Sequence, residues 1–128
     1  MSLKTDLRIM VVDDMSTSRA LITQALEEMA IDHVATSNDG AAALQKLIAS
    51  PAHLVISDFN MPGLDGLGLL QGLRQNARTQ KIGFILITGR ADSNMIQRGQ
   101  SLGMNNFIEK PFTTAQLKGC IEAVVGRL

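Results

Sequence analysis

Five apolar runs of strand length recur along the 128 residues, and each is followed by a stretch of helical periodicity. The strand-like runs fall at residues 8–12 (RIMVV), 32–36, 54–57 (LVIS), 82–87 (IGFILI) and 106–109 (NFIE). Helical spacing of Ile22, Leu26 and Met29 marks residues 16–29. A second helix opens at the turn Asn38-Asp39-Gly40, carries Ala42, Ala43, Leu44, Leu47 and Ile48 on one stripe, and stops before Pro51. Further helices are expected over 66–76, over 92–102 with Gly103 as the stop, and from the capping-box sequence Thr113-Thr114-Ala115-Gln116 to about residue 126. Strands that are apolar nearly throughout need cover on both faces, which is the condition of a parallel sheet. With right-handed crossovers, the expected fold is α/β: a (βα)5 doubly wound, five-stranded parallel sheet. One domain is expected to span residues 1–128, with no linker, repeat or output domain.

Composition narrows the function classes. Twelve Lys and Arg balance twelve Asp and Glu. A nucleic-acid-binding domain usually carries a basic excess, so neither nucleic acid nor an anionic membrane is an expected partner. No apolar run approaches the roughly 18–20 residues of a membrane span, and the opening MSLKTDLR lacks the apolar core of a secretory signal. The single cysteine, Cys120, fits a reducing cytoplasm. His33 and His53 have no partner at metal-ligand spacing and read as structural. Gly63, Gly66 and Gly68 match no nucleotide-binding fingerprint.

The strand ends carry the chemistry. Asp13-Asp14 follows IMVV, Asp58 follows LVIS, Thr88 follows FILI, and Lys110 follows NFIE. In an open parallel sheet this edge is where ligands bind. Two carboxylates about 4 Å apart repel by roughly 4 kcal/mol at an effective dielectric near 20, so three converging acids need a cation or a retained proton. Mg2+ suits an oxygen-only set that leaves room for water and phosphate. The backbone carbonyl of Asn60 offers one more oxygen. Lys110 can reach a phosphoryl oxygen as a point charge. Asp58 is the candidate nucleophile, since carboxylates form acyl phosphates in phosphoryl transfer. Residues 58–66 (DFNMPGLDG) are rich in turn formers that fix the strand end. Phosphorylation would remove one negative charge and add about two; the Thr88 hydroxyl can donate to a new phosphoryl oxygen, which makes a local switch. Gly89 offers no side chain to obstruct an incoming donor.

Taken together, VVDD at 11–14, SDFNMPGLDG at 57–66, LITG at 86–89 and EKPF at 109–112 resemble the receiver domain of two-component response regulators, specifically the CheY-type single-domain regulators. The resemblance runs over about residues 7–126. It implies the flavodoxin-like strand order 2-1-3-4-5 and a phosphorylation-dependent signalling role with chemotaxis as its output. It implies Asp58 as phosphoacceptor from a sensor histidine kinase. It implies Asp13, Asp14, Asp58 and the Asn60 carbonyl as Mg2+ ligands, with Thr88 and Lys110 on the phosphoryl group. Phe107 falls at the aromatic switch position, and the Lys110-Pro111 peptide is expected to be cis. Met15-Ser-Thr-Ser-Arg19 is similar to the start of the first helix in chemotaxis regulators. Such a protein is a cytoplasmic monomer that catalyses only its own phosphorylation and dephosphorylation; its further partners would include a flagellar motor switch protein and a phosphatase.

The chain also departs from the best-known members. Phe107 stands where chemotaxis regulators usually have Tyr, Phe59 where they have Trp, and Arg90 where an acid is common. Asn60 and Arg90 flank the path of an attacking water. The face of the fourth and last helices shows Asp92, Gln100, Cys120 and Ala123 rather than several lysines. A phosphate sink or relay for a shared kinase therefore stands beside motor output. An aspartyl-phosphate hydrolase of the haloacid dehalogenase type needs a second acid two residues after its nucleophile, and that residue here is Asn60. An interaction-only receiver is the remaining alternative.

Overall fold

The chain alternates strand and helix five times in the computed structural model, which describes residues 6–128. The elements are β1 (Arg8–Val12), α1 (Ser16–Glu28), β2 (His33–Ser37), α2 (Gly40–Ala49), β3 (Leu54–Asp58), α3 (Gly66–Arg74), β4 (Gly83–Thr88), α4 (Ser93–Ser101), β5 (Asn106–Glu109) and α5 (Thr114–Val125). Every strand pairing is parallel and the order is β2-β1-β3-β4-β5. The expected boundaries shift by one or two residues. The consequential shift is that β3 and β4 each extend one residue further, so Asp58 and Thr88 are themselves the last strand residues.

Alternation along the strands sorts side chains onto two cores. Ile9 and Val11 of β1 face a cluster with Ile22 and Leu26 of α1 and Leu117 and Ile121 of α5. Met10 and Val12 face Ala43 and Leu47 of α2 and Leu67, Leu70 and Leu73 of α3. The central strands β3 and β4 are buried throughout, which is why they read as unbroken apolar runs. The edge strand β2 is largely exposed, and its weak apolar signal follows from that.

Four helices begin on a side-chain cap. Asp39, Asp65 and Asp92 accept from the backbone N–H of Ala42, Gly68 and Met95 at 3.0, 2.8 and 2.8 Å. Thr113 and Gln116 form the expected capping box. The first helix differs: Met15 supplies no side-chain cap. Its N-terminus instead faces the strand-end acids, where its positive dipole end favours carboxylates.

Elsewhere, Arg74 at the end of α3 donates to the carbonyls of Gln80, Ile82 and Gly103 at 3.0, 2.7 and 2.8 Å. It also donates to Asn105 Oδ1 at 3.2 Å. These bonds tie the end of α3 to the two loops that lead into β4 and β5, at the end of the sheet opposite the acids, and burial pulls the pKa of the guanidinium down.

Candidate functional site

Strand order decides where the acids meet. The chain leaves β1 toward β2 and returns past β1 to β3, so the loops after β1 and β3 part in opposite directions. Such a reversal opens a crevice at the carboxyl ends of the strands. Asp13 follows β1 and Asp58 ends β3. Backbone bonds continue the sheet past both ends: Asp13 N–H donates to Ser37 O at 3.0 Å, Phe59 N–H to Ile87 O at 2.8 Å and Lys110 N–H to Thr88 O at 2.8 Å. The functional side chains therefore start from rigid backbone.

Asp13, Asp14 and Asp58 each place one carboxylate oxygen within 4.8 Å of the others. Asp13 is fully buried, Asp58 nearly so, and Asp14 is exposed. The two oxygens of Asp13 differ. Its Oδ1 accepts from Met15 N–H at 3.0 Å. Its Oδ2 is buried without a hydrogen-bond partner. The nearest cation, Lys110 Nζ, lies 3.9 Å away, beyond hydrogen-bond reach. A buried carboxylate oxygen without a donor is costly unless a cation completes it. With two further carboxylates beside it, the donor set is all oxygen and fits a hard divalent ion.

Lys110 Nζ lies 3.1 Å from Asp58 Oδ1. Its third close contact, absent from the sequence reading, is a hydrogen bond to Ser18 Oγ at 3.0 Å. A second contact that the sequence did not reveal is Arg19, whose guanidinium donates to Asp13 O at 2.8 Å.

Burial raises the pKa of Asp58. The Lys110 hydrogen bond and charge oppose that rise, and the nearby Asp13 charge adds to it. An acid whose folded pKa lies above its unfolded value binds its proton more tightly when folded. Its stabilising contribution is complete below the unfolded value of 3.8 and fades as pH climbs through the raised folded value. In buffer free of divalent cations, Asp58→Asn should therefore melt above the wild type at pH 7, and the gap should narrow as pH falls toward the ordinary carboxylate range. Thermal melts across pH with a chelator check this; a constant gap at all pH values would refute it.

Thr88 is buried, and its hydroxyl exchanges hydrogen bonds with Arg90: it donates to Arg90 O at 3.1 Å and accepts from Arg90 N–H at 3.2 Å. Phe107 is half-buried against the α2–α3 core. Arg90 is exposed, as is Asn60. A Cβ at Gly89 would meet no atom within 4 Å, so the approach beside Thr88 is open. The Lys110-Pro111 peptide is cis, as expected.

Known proteins match both the sequence and this geometry. The model of the response regulator receiver domain matches residues 9–122. A probable chemotaxis protein CheY of Rhizobium etli is 42% identical over 128 residues, covering 100% of this chain and 99% of that protein. Chemotaxis protein CheY-3 of Vibrio cholerae is 32% identical over 126 residues, covering 98% and 97%. Among solved structures, Vibrio cholerae chemotaxis protein CheY4 superposes with a TM-score of 0.86 at 25% identity, covering 92% of this chain and 98% of that one. The receiver domain of a Pseudomonas aeruginosa sensor histidine kinase, solved with magnesium in its active-site cleft, shares the fold with a TM-score of 0.85 at 22% identity, covering 94% and 98%. A full-length match to CheY-type relatives and a family match over nearly the whole chain place this protein in the response regulator receiver domain family, as a CheY-like signalling protein rather than a classical enzyme.

Proposed function

We propose that Asp58 accepts a phosphoryl group from a histidine kinase and that the change is read out at the surface through Thr88 and Phe107. One observation carries this reading: the Asp58 carboxylate sits at a strand end, paired with Lys110 at 3.1 Å, beside a buried Asp13 oxygen that has no hydrogen-bond partner. Asp13, Asp14 and Asp58 would hold Mg2+ together with the Asn60 backbone carbonyl. Bound Mg2+ would supply charge neutralisation for the phosphoryl oxygens. An Asp58 oxygen attacks phosphorus, the bond from phosphorus to the kinase imidazole nitrogen breaks, and that nitrogen keeps the electron pair. Lys110 holds the carboxylate in place and meets the growing negative charge on the phosphoryl oxygens. The Thr88 hydroxyl, bonded to Arg90 in this state, would turn toward the phosphoryl group and draw the 88–91 backbone after it. The space it vacates would be open to Phe107.

The names of the relatives favour chemotaxis as the output; in that reading the partner would be a flagellar motor switch protein. Cytoplasmic residence fits this reading, and among the described residues no helix is long and apolar enough to cross a membrane. The second reading, a phosphate sink for a shared kinase, is favoured by the α4–α5 face, where Asp92, Gln100 and Ala123 are exposed in place of a lysine cluster.

Acetyl phosphate with Mg2+ should add the mass of one phosphoryl group to the intact protein. Asp58→Asn should abolish the gain, and a gain that survives in that variant would refute the assignment. Calorimetry with an N-terminal peptide of a motor switch protein then separates the outputs. Tightening by about tenfold in beryllofluoride, or roughly 1.4 kcal/mol, supports motor output. Loss of that tightening in Thr88→Ala supports the hydroxyl as the coupling group; binding indifferent to activation supports the sink.

A further inference from the structure

We infer that Ser18 is a positioning residue: its hydroxyl fixes the Lys110 ammonium against the Asp13–Asp58 carboxylate pair. The inference rests on the reading of Asp58 as phosphoacceptor only for its kinetic consequence; the contact itself is independent of that reading.

The first turn of α1 presents three hydroxyls in a row, Ser16, Thr17 and Ser18. Ser16 and Thr17 are exposed, whereas Ser18 is half-buried and faces the loop after β5. Its Oγ accepts from Lys110 Nζ at 3.0 Å across 92 residues of sequence. The ammonium also meets Asp58 Oδ1 at 3.1 Å and stands 3.9 Å from Asp13 Oδ2. Three oxygens on three elements thus surround one three-donor group.

Two physical conditions make the serine matter. The first is the helix end. A cation beside a helix N-terminus is disfavoured by the dipole, and Lys110 lies against the first turn of α1. An acceptor from that same turn offsets the penalty. The second is solvent. The Lys110 side chain remains 30% exposed. It borders a groove of about 420 Å³ lined by Leu21, Ala25, Pro111 and Phe112. A flexible four-carbon stem open to water would otherwise sample several rotamers. Ser18 closes the groove side of the ammonium and leaves its remaining directions to the acids. A second long-range tie, from Thr114 Oγ1 to Glu28 Oε2 at 2.8 Å, fastens the far end of α1 to the start of α5. It holds the α1 backbone in register with the loop that carries Lys110.

The test uses the full chain with 15N-labelled lysine. The Lys110 ammonium signal, assigned by its loss in Lys110→Met, should be sharp in the wild type and in Ser18→Thr. It should broaden or move to the free-lysine position in Ser18→Ala. At saturating Mg2+, Ser18→Ala should slow phosphorylation by acetyl phosphate by about threefold to tenfold, as loss of one charge-assisted hydrogen bond at a partly exposed site implies. Ser18→Thr should restore the rate, and Thr17→Ala should leave it unchanged. In the Lys110→Met background, Ser18→Ala should add no further slowing.

An ammonium signal indifferent to Ser18→Ala overturns the inference. So does slowing of equal size with and without Lys110, since Ser18 would then act through another group. A wild type that takes no phosphoryl group while its ammonium signal follows Ser18 refutes the Asp58 assignment and leaves the Ser18 contact standing. Normal Asp58 phosphorylation with no response to Ser18→Ala does the reverse.

Discussion

Gly66→Ala is expected to destabilise the protein by about 2–3 kcal/mol, far more than a surface methyl usually costs. A Cβ at this position would lie 2.5 Å from the backbone oxygen of Asp58, 2.8 Å from Leu86 Cδ1 and 3.1 Å from Phe59 Cα. The first and last of these neighbours are backbone atoms at the end of a fully buried strand and cannot rotate away. Gly66 N–H also donates to Phe59 O at 3.0 Å, which draws α3 tightly onto the loop after β3. The clash must therefore move either α3 or the chain around Asp58. Thermal denaturation should show a loss on the order of 10 °C. Mg2+ affinity should fall with it, because the displaced backbone carries Asp58 and Asn60. Gly119→Ala supplies the contrast: a Cβ there meets nothing within 4 Å. In the middle of α5 it should be neutral or stabilising by about 0.5–1 kcal/mol. Equal melting temperatures for Gly66→Ala and wild type would refute the steric argument.

Lys110→Met should separate ion binding from chemistry by moving them in opposite directions. The variant keeps most of the stem volume and deletes the charge. Without the ammonium, Asp58 loses the hydrogen bond and charge that most oppose its burial and keeps only the weaker help of the Phe59 backbone N–H, so its pKa should rise further. The acids lose their internal counter-ion, and a divalent cation meets less competition. Calorimetry should show Mg2+ binding tighter on the order of tenfold, the scale of one unit charge removed a few ångströms away at high effective dielectric. Phosphorylation by acetyl phosphate at saturating Mg2+ should instead slow by at least about tenfold, since a positioned charge facing the phosphoryl oxygens is gone. Unchanged Mg2+ affinity would show that Lys110 does not share the field of the acids.

Both experiments probe contacts that differ in how far the sequence reveals them. Strand and helix alternation is local: Ile9, Val11, Leu54, Ile56 and Ile85 advertise buried strands through their own apolar runs, and Asp39, Asp65 and Thr113 mark helix starts by side-chain chemistry. The strand ends could be read the same way, because Asp13, Asp58, Thr88 and Lys110 are polar residues that stand at or just after the ends of the strand-length runs. The motifs around them carried the family and, through it, the strand order. The receiver fold and the candidate residues were thus legible from neighbours along the chain.

What tertiary structure alone decided depends on residues far apart in sequence. One Asp13 oxygen is satisfied locally by Met15 N–H, but that the other is buried without a hydrogen-bond partner, 3.9 Å from Lys110, follows from how distant elements close over it. That Ser18, rather than Ser16 or Thr17, meets Lys110 depends on the rotation of α1 against a loop 92 residues away. Arg74 carries no signal in the sequence, yet it binds carbonyls of the two loops that lead into β4 and β5 once they are folded together. The steric demand at Gly66 comes from the close approach of α3 to β3, not from any backbone angle of its own. Periodicity and caps are encoded by side chains acting within a few residues, so sequence reports them. Hydrogen-bond partners and free space across elements are set by packing, and only the assembled sheet and its helices fix them.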